Sequence, residues 1–456
     1  MNIDIIKKYN KPGPRYTSYP PATFFHTGFS ADDYKRHIVK SNTEQPDNIS
    51  FYIHIPFCSK MCHFCGCNTS ALRSDNVVRR YINAVIKEIE TVSSLLDKNR
   101  KVSQIHWGGG TPNAISLDYI DEIMQTFHKH FEYTENAEIA MECNPAYLEF
   151  EDIDHLAQIG FNRLSLGIQD FDPNILDLVN RDSSKYPVKE LVDYMKKVGF
   201  KGVNLDLIYG LPHQTVESFK ESVKQAIEIS PDRLVTFSYA HVPWVKGAQK
   251  KLETYGLPNP EEKLAMFDAG LNLLTAAGYI SVGMDHYAKP EDELSKALKS
   301  KKLHRNFQGY ATKETTGQVY GFGSSSISQF NSAYIQNTKS LNKYMENIEK
   351  SGFAVERGYE LSKNDIIIRE VIVEIMCNGH LNFENISYKF KLSINELQEI
   401  LEFSESKLEG FIADDLITYK NEILELKSEG FFVVRNIAMT FDPLLKTSEA
   451  QYSKTV

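Results

Sequence analysis

Between residues 49 and 240 the chain alternates short runs of period two with longer runs of period near 3.6, and this constrains the fold more than any other feature. Repeated six times, that switch is what a parallel sheet with crossover helices requires. The first strand reads Ile49-Ser-Phe51-Tyr-Ile53-His-Ile55, apolar at alternate positions, and Pro56 stops it. Further strands are expected at 102–107, 138–142, 163–168, 202–208 and 233–237, with helices at 151–159, 188–198 and 215–229. A helix over 78–96 sets Val78, Tyr81, Ile82, Val85, Ile89, Val92 and Leu96 on one face, and its successor carries Ile120, Ile123, Met124, Phe127 and Phe131. Such stripes are what sheet-packing helices need, so they read as core. Six βα units make an α/β fold of incomplete-barrel type.

Polar residues gather where those strands end, the edge at which parallel α/β folds bind ligands. After the first strand, Cys58-Ser-Lys-Met-Cys62-His-Phe-Cys65-Gly-Cys67 holds four of the six cysteines in ten residues. At C-x3-C-x2-C spacing three thiolates can hold three irons of a [4Fe–4S] cluster and leave the fourth open, whereas an electron-transfer cluster uses four. A structural zinc knot competes, although its ligands usually come as two short clips on a longer spacer. The second strand runs into Gly108-Gly109-Gly110-Thr111-Pro112, where bare backbone could meet a small charged group or simply turn tightly. Strand three ends in Glu142-Cys-Asn-Pro and strand four in Gly167-Ile-Gln169-Asp170. Strand five contains Asn204-Leu-Asp206, and strand six runs into Ser238-Tyr-Ala240-His241. Each residue alone caps a helix as readily as it binds a ligand. Recurrence across four strands favours binding. Arg181, next to Asp182, reads in isolation as half of a solvated ion pair.

The 456 residues, 42% hydrophobic, allow two or three domains with a sizeable core. A formal charge of −9 gives no reason to expect nucleic acid, no run reaches membrane-spanning length, and the first residues lack a signal-peptide pattern. With Cys143 and Cys377 isolated, disulfides are not expected and a reducing cytoplasm fits. Residues 1–48, with prolines at 12, 14, 20 and 21 and no periodicity, read as an arm that contributes no core helix and folds over the mouth of the site. Residues 49–361 form the barrel and its extension. From 362 to 456 the pattern is mainly helical: Ile366, Ile367, Val371, Ile372 and Ile375 mark one helix, 394–403 another, and Leu416-Ile-Thr-Tyr with Ile423-Leu-Glu-Leu a hairpin. No unpaired amphipathic segment stands out, so a monomer is expected.

Together, C-x3-C-x2-C after the first strand and GGGTP after the second resemble the radical S-adenosylmethionine (SAM) superfamily. Longer blocks resemble its oxygen-independent coproporphyrinogen III oxidase family. They include Lys8 to Pro20, Tyr52 to Asn68, Gly283-Met-Asp285-His286-Tyr-Ala, His304-Arg305-Asn-Phe307-Gln308-Gly-Tyr310 and Arg435-Asn-Ile-Ala-Met-Thr-Phe-Asp442. The likeness spans the whole chain. It implies that SAM chelates the open iron through its amino and carboxylate groups, and that one electron cleaves it to methionine and a 5′-deoxyadenosyl radical. That radical takes a hydrogen from a propionate β-carbon, after which CO2 and an electron leave. Two propionates of coproporphyrinogen III become vinyls, giving protoporphyrinogen IX in haem biosynthesis, with two SAM consumed.

Carried onto this chain, the resemblance places the cluster on Cys58, Cys62 and Cys65 and the first SAM against Tyr52, Gly109, Glu142, Phe307, Gln308 and Ile327. A second SAM would meet Phe64, Gly110, Thr111, Gln169, Arg181, Asp206 and Ala240. Cys67 receives no iron, and no residue is assigned as an acid or base. A substrate with four carboxylates wants cations, for which Arg15, His304 and Arg305 are candidates, each equally able to form a structural salt bridge. A low-potential donor such as a flavodoxin or ferredoxin is implied, and the C-terminal segment would cover the barrel's open side. Three alternatives remain: a haem chaperone, a radical SAM methyltransferase that opens haem, and a zinc-stabilised interaction protein. The first lacks the N-terminal Pro-Gly-Pro-Arg-Tyr-Thr-Ser-Tyr-Pro segment and carries a His-Asn-x-x-Tyr-Trp motif absent here.

Overall fold

In the computed structural model, which describes residues 3–446, six parallel strands lie side by side in chain order. They are β1 (Ile49–Ile55), β2 (Val102–Gly109), β3 (Tyr133–Cys143), β4 (Arg163–Gln169), β5 (Gly202–Tyr209) and β6 (Arg233–Ser238). The helices α1 (Asp75–Ser93), α2 (Leu117–His130), α3 (Phe150–Gln158), α4 (Val188–Val198), α5 (Val216–Ile229) and α6 (Pro260–Ala276) lie between and after them. Alternate apolar residues of each strand meet the helix stripes: Phe51 stacks on Phe127 at 4.8 Å between centroids, and Trp107 is fully buried. Burial of such side chains stabilises the sheet by about 2–3 kcal/mol each.

Beyond the six, the strand Gln318–Phe322 pairs in parallel with the outer edge of β1, setting Tyr320 opposite Phe51. This seventh parallel strand comes from the extension, far along the chain from its neighbour. Antiparallel strands close both flanks. Ile280–Gly283 and His286–Ala288 follow β6, and Ile327–Gln329, Ala333–Asn337 and Val355–Glu360 complete a sheet of twelve.

A second core belongs to the C-terminal segment. Helix Lys363–Asn378 packs Ile367, Val371, Ile372 and Ile375 against Val434, Ile437 and Phe441. The expected hairpin is present as Ile417–Lys420 and Ile423–Leu426, joined by a third strand, His380–Asn382. Residues 1–2 of the arm and 447–456 of this segment lie outside the described residues. Among the described residues no helix is long and apolar enough to cross a membrane.

The arm departs from expectation. Helix Ala31–Ser41, opened by a Ser30–Asp33 capping box, buries Tyr34 and Ile38 in the barrel core, so residues 1–48 do supply a core helix. Two further positions of its buried face are polar, His37 and Ser41, matched by Ser332 (3.3 Å) and the Tyr320 hydroxyl (2.7 Å). That polarity hides the stripe from a reading of periodicity. The proline-bearing stretch remains irregular, and Tyr9, Tyr16 and Tyr19 join the C-terminal core.

Candidate active site

Strand register aligns the polar residues inside the barrel. Tyr52 stands opposite His106, Glu142 opposite Ser165 and then Asn204, and Gly167 opposite Asp206, Val235 and His286 in turn. Tyr52 and His106 stack with centroids 6.1 Å apart, and His106 Nε2 lies 3.1 Å from Glu142 Oε1. Burial alone would raise the Glu142 pKa, but the bond to His106 and the Gly109 N–H hold it below the usual carboxylate range. The Glu142 side chain keeps 45% exposure, so this ionised carboxylate faces open space inside the barrel.

The three glycines at the end of β2 are there because nothing larger fits. A Cβ on Gly108 would stand 2.9 Å from the Glu142 carboxylate, and one on Gly110 would stand 2.7 Å from the Pro56 carbonyl. Gly109, at φ +117°, would drive its Cβ to 2.6 Å from the His54 ring. Backbone bonds from Gly110 to Ile55 (2.7 Å) and from Thr111 to Phe57 (2.9 Å) lash this turn to the start of the cysteine loop.

Each of the three spaced cysteines receives one donor. The Thr111 hydroxyl reaches Cys58 Sγ at 3.5 Å, Arg181 Nη1 reaches Cys62 Sγ at 3.6 Å, and the Cys67 N–H reaches Cys65 Sγ at 3.4 Å. Burial raises the thiol pKa of Cys58 and of Cys62, while hydrogen bonding from Cys67 lowers Cys65 to about 6. The exposed Cys67 thiol is pushed up through its bond to Cys65, so it acts as a donor. Among the described residues no three Cys, His, Asp or Glu side chains are gathered to hold one metal ion. A cubane takes one thiolate per iron. Three sulfurs that each meet a donor, one of them the buried Arg181, fit a cluster held by Cys58, Cys62 and Cys65.

Arg181 is not the solvated partner of Asp182. It is buried, and besides Cys62 it donates to the Gly167 carbonyl. Asp182 pairs instead with Lys60 (2.7 Å) and the Tyr147 hydroxyl (2.6 Å). A Cβ at Gly167 would collide with both Gln169 Nε2 (2.7 Å) and Arg181 Nη2 (2.9 Å), so these two side chains meet over bare backbone. Gln169 itself has φ +70°, a strained conformation for a side-chain-bearing residue. Asp206 is held by Asn204 (2.7 Å) and Ser165 (2.9 Å), and burial raises its pKa to about 6. Gln249 Nε2 bridges the carbonyls of Phe64 (3.0 Å) and Ala240 (3.1 Å). The sequence carries no signal for Gln249, whose partners are joined only by folding.

Phe307 and Ile327, expected against the first SAM, share a small apolar cluster with Phe25 of the arm and Tyr334, and Gln308 follows on the same tight turn, its N–H donating to Asn306 Oδ1 (2.9 Å). Of the three cation candidates, Arg305 is 7% exposed, and among the described residues its Nε and Nη1 have no hydrogen-bond partner. Arg15 is exposed on the arm, and its charge is felt at Asp285. His304 differs from expectation. Burial, with Arg369 and Lys313 nearby, lowers its pKa to about 4, so it carries no positive charge at neutral pH.

A model of the radical SAM superfamily matches residues 52–226. The oxygen-independent coproporphyrinogen III oxidase of Synechocystis is 40% identical over 459 aligned residues, covering 100% of this chain and 98% of its own. That of Escherichia coli is 39% identical with the same coverage. A solved structure of coproporphyrinogen III oxidase (HemN) from Escherichia coli, described as a radical SAM enzyme, superposes with a TM-score of 0.89 at 37% identity, covering 97% of this chain and 98% of that one. With full-length relatives at this identity, the three-cysteine loop and the glycine turn in place, the chain belongs to the oxygen-independent coproporphyrinogen III oxidase family of radical SAM enzymes.

Proposed function

We propose that the protein converts two propionates of coproporphyrinogen III to vinyls without oxygen, consuming two SAM and giving protoporphyrinogen IX in haem biosynthesis. When bound, a [4Fe–4S] cluster and SAM would supply the hard chemistry, radical abstraction of a β-hydrogen from each propionate. The chain's own residues position and shield. Cys58, Cys62 and Cys65 hold the cluster, with Thr111, Arg181 and the Cys67 N–H stabilising negative charge on sulfur. Tyr52, Gly109 and Glu142 form one wall for the first SAM, where an ionised Glu142 suits an ammonium group, with Phe307, Gln308 and Ile327 on another. Phe64, Gly110, Thr111, Gln169, Arg181, Asp206 and Ala240 offer a second SAM a guanidinium, a carboxylate and bare backbone in one arc.

The substrate reading is carried by the cations at the mouth of a chain whose net charge is −9. Burial, together with the charges of Arg15 and Arg305, lowers Arg435 to about 10, which places three arginines from three distant segments within electrostatic reach. Arg435 holds the carbonyls of Gly13 and Pro14, and Tyr16 donates to Asp442 at 2.8 Å, so arm and C-terminal segment are tied to each other, which supports the reading that they cover the barrel's open side as one unit. Such closure excludes water from a carbon radical. A low-potential flavodoxin or ferredoxin would supply the electron, in the cytoplasm and to a monomer. The test is anaerobic incubation of the reconstituted, reduced protein with SAM and coproporphyrinogen III. Vinyl-bearing product with two 5′-deoxyadenosine per protoporphyrinogen supports the reading, and SAM cleavage without decarboxylation overturns the substrate.

A further inference from the structure

We propose that Asp285 accepts the pyrrole N–H groups of the porphyrinogen while Arg305, packed on the neighbouring Tyr310 ring, takes one of its carboxylates, an inference that rests on the substrate reading above.

Register brings Asp285 to the site. His286 opens an antiparallel strand opposite Val235 of β6, itself opposite Asp206, so it extends the interior row that runs from Gly167. Asp285 comes just before it, and its carbonyl accepts the Thr236 N–H at 2.9 Å. The preceding Met284 has φ +51°, a conformation that non-glycine residues avoid and that collects at binding sites. Gly283 has no room for a Cβ, which would stand 2.5 Å from the Tyr310 hydroxyl.

The carboxylate is aimed and half used. Asp285 Oδ1 lies 2.8 Å from His286 Nδ1, and Oδ2 takes part in no hydrogen bond among the described residues. The His286 ring is fixed edge-on between Phe237 (6.2 Å) and Tyr310 (5.1 Å). Burial would raise the Asp285 pKa, but the hydrogen bond to His286 and the nearby Arg305 and Arg15 hold it well below the usual carboxylate range, so it stays ionised throughout the physiological range. Arg305 lies over the Tyr310 ring at 4.6 Å, and among the described residues its buried Nε and Nη1 make no hydrogen bond, the Tyr310 hydroxyl being the polar group close enough to feel them. Arg305 and Asp285 influence each other, yet no ion pair joins them. A buried guanidinium with idle donors and, by way of His286, a carboxylate with an idle oxygen flank the one Tyr310 ring. What completes both is a ligand that presents a carboxylate and N–H donors together, against an aromatic wall.

Coproporphyrinogen matches that demand. Its saturated bridges let pyrrole N–H groups converge on one carboxylate, and its propionates reach an arginine. The oxidised macrocycle, coproporphyrin III, is planar and turns imine lone pairs as well as N–H groups inward, so it repels part of what the porphyrinogen offers. Asp285 is thus the selector for the reduced ring, and Arg305 is indifferent to oxidation state.

The test uses the full-length protein without its cluster, so that binding is read apart from turnover. Anaerobic equilibrium dialysis measures affinity for coproporphyrinogen III and for coproporphyrin III in wild type, Asp285→Asn, Asp285→Ser, Arg305→Gln and Arg305→Lys. Asp285→Asn and Asp285→Ser are expected to weaken porphyrinogen binding about tenfold or more while leaving coproporphyrin unchanged or tighter. Arg305→Gln should weaken both ligands alike, with partial rescue in Arg305→Lys. Equal loss for both ligands in the Asp285 variants, or no loss in either, overturns the proposal and leaves Asp285 a counter-ion of Arg305. Failure of the wild type to bind coproporphyrinogen overturns the substrate reading itself.

Discussion

Glu88, on α1, is the buried acid whose behaviour the structure specifies most sharply. It is fully buried, yet three donors converge on it: the Tyr344 hydroxyl at 2.6 Å, the Gly323 N–H at 2.9 Å and Asn337 Nδ2 at 2.7 Å. Through Gly323 it clamps the turn that packs on the His54 carbonyl, directly behind the glycine cradle. Burial outweighs the three donors and raises its pKa from 4.5 to about 7. The folded protein therefore binds a proton that the unfolded chain releases. The resulting stability is full below pH 4.5 and is lost as pH rises through 7. Between pH 5.5 and pH 8 the loss amounts to about 2 kcal/mol. Glu88→Gln cannot titrate, and its amide also sets a donor against donors, at a cost of about 1–3 kcal/mol at either pH. The variant's deficit should thus be about 2 kcal/mol larger at pH 5.5 than at pH 8. Urea unfolding of the cluster-free protein, followed by tryptophan fluorescence, reads this cleanly, because of the two tryptophans Trp107 is buried in the barrel and Trp244 is 68% exposed. A deficit that is equal at the two pH values, or larger at pH 8, would refute the reasoning and show that the three donors keep Glu88 ionised throughout.

Gly109→Ala, forced to φ +117° against His54, should cost about 2–4 kcal/mol and weaken SAM binding at least tenfold by equilibrium dialysis; unchanged affinity would count against the cradle. Arg181→Met removes the cation beside Cys62, so the reconstituted cluster should become harder to reduce by on the order of 50–100 mV in an EPR-monitored titration. Arg435→Gln frees the Gly13 and Pro14 carbonyls, and trypsin should then cut after Arg15 well before the barrel is attacked. An arm that stays protected in this variant would show that its tyrosines, not Arg435, hold it down.

Much of the site is legible along the chain because its parts are local. The cysteine loop and the glycine turn each follow a strand directly, and both the spacing and the absence of side chains are properties of consecutive residues. What misled was inference of partners from adjacency. Asp182 is next to Arg181 in sequence, but the two side chains diverge, one toward Lys60 and the other toward Gly167 and Cys62. His304 likewise neighbours Arg305, yet burial beside Arg369 and Lys313 takes its charge away while Arg305 keeps one with idle donors. The charge state of a side chain depends on what surrounds it in space, and the sequence does not contain that.

Hydrophobic periodicity by itself determined the six βα units, since each strand and helix must bury one face whatever its neighbours are. It also determined which residues stand at the strand ends, because alternation along a strand leaves no freedom once one face is buried. Tertiary structure alone decided that Gln318–Phe322 comes home beside β1, that Ala31–Ser41 buries a partly polar face against Ser332 and Tyr320, and that Gln249 joins Phe64 to Ala240. It decided too that Arg305 and His286, the hydrogen-bond partner of Asp285, meet on the same Tyr310 ring. These are pairings between distant segments, specified by complementary hydrogen bonds and packing that exist only after the chain has closed on itself, so no local pattern announces them.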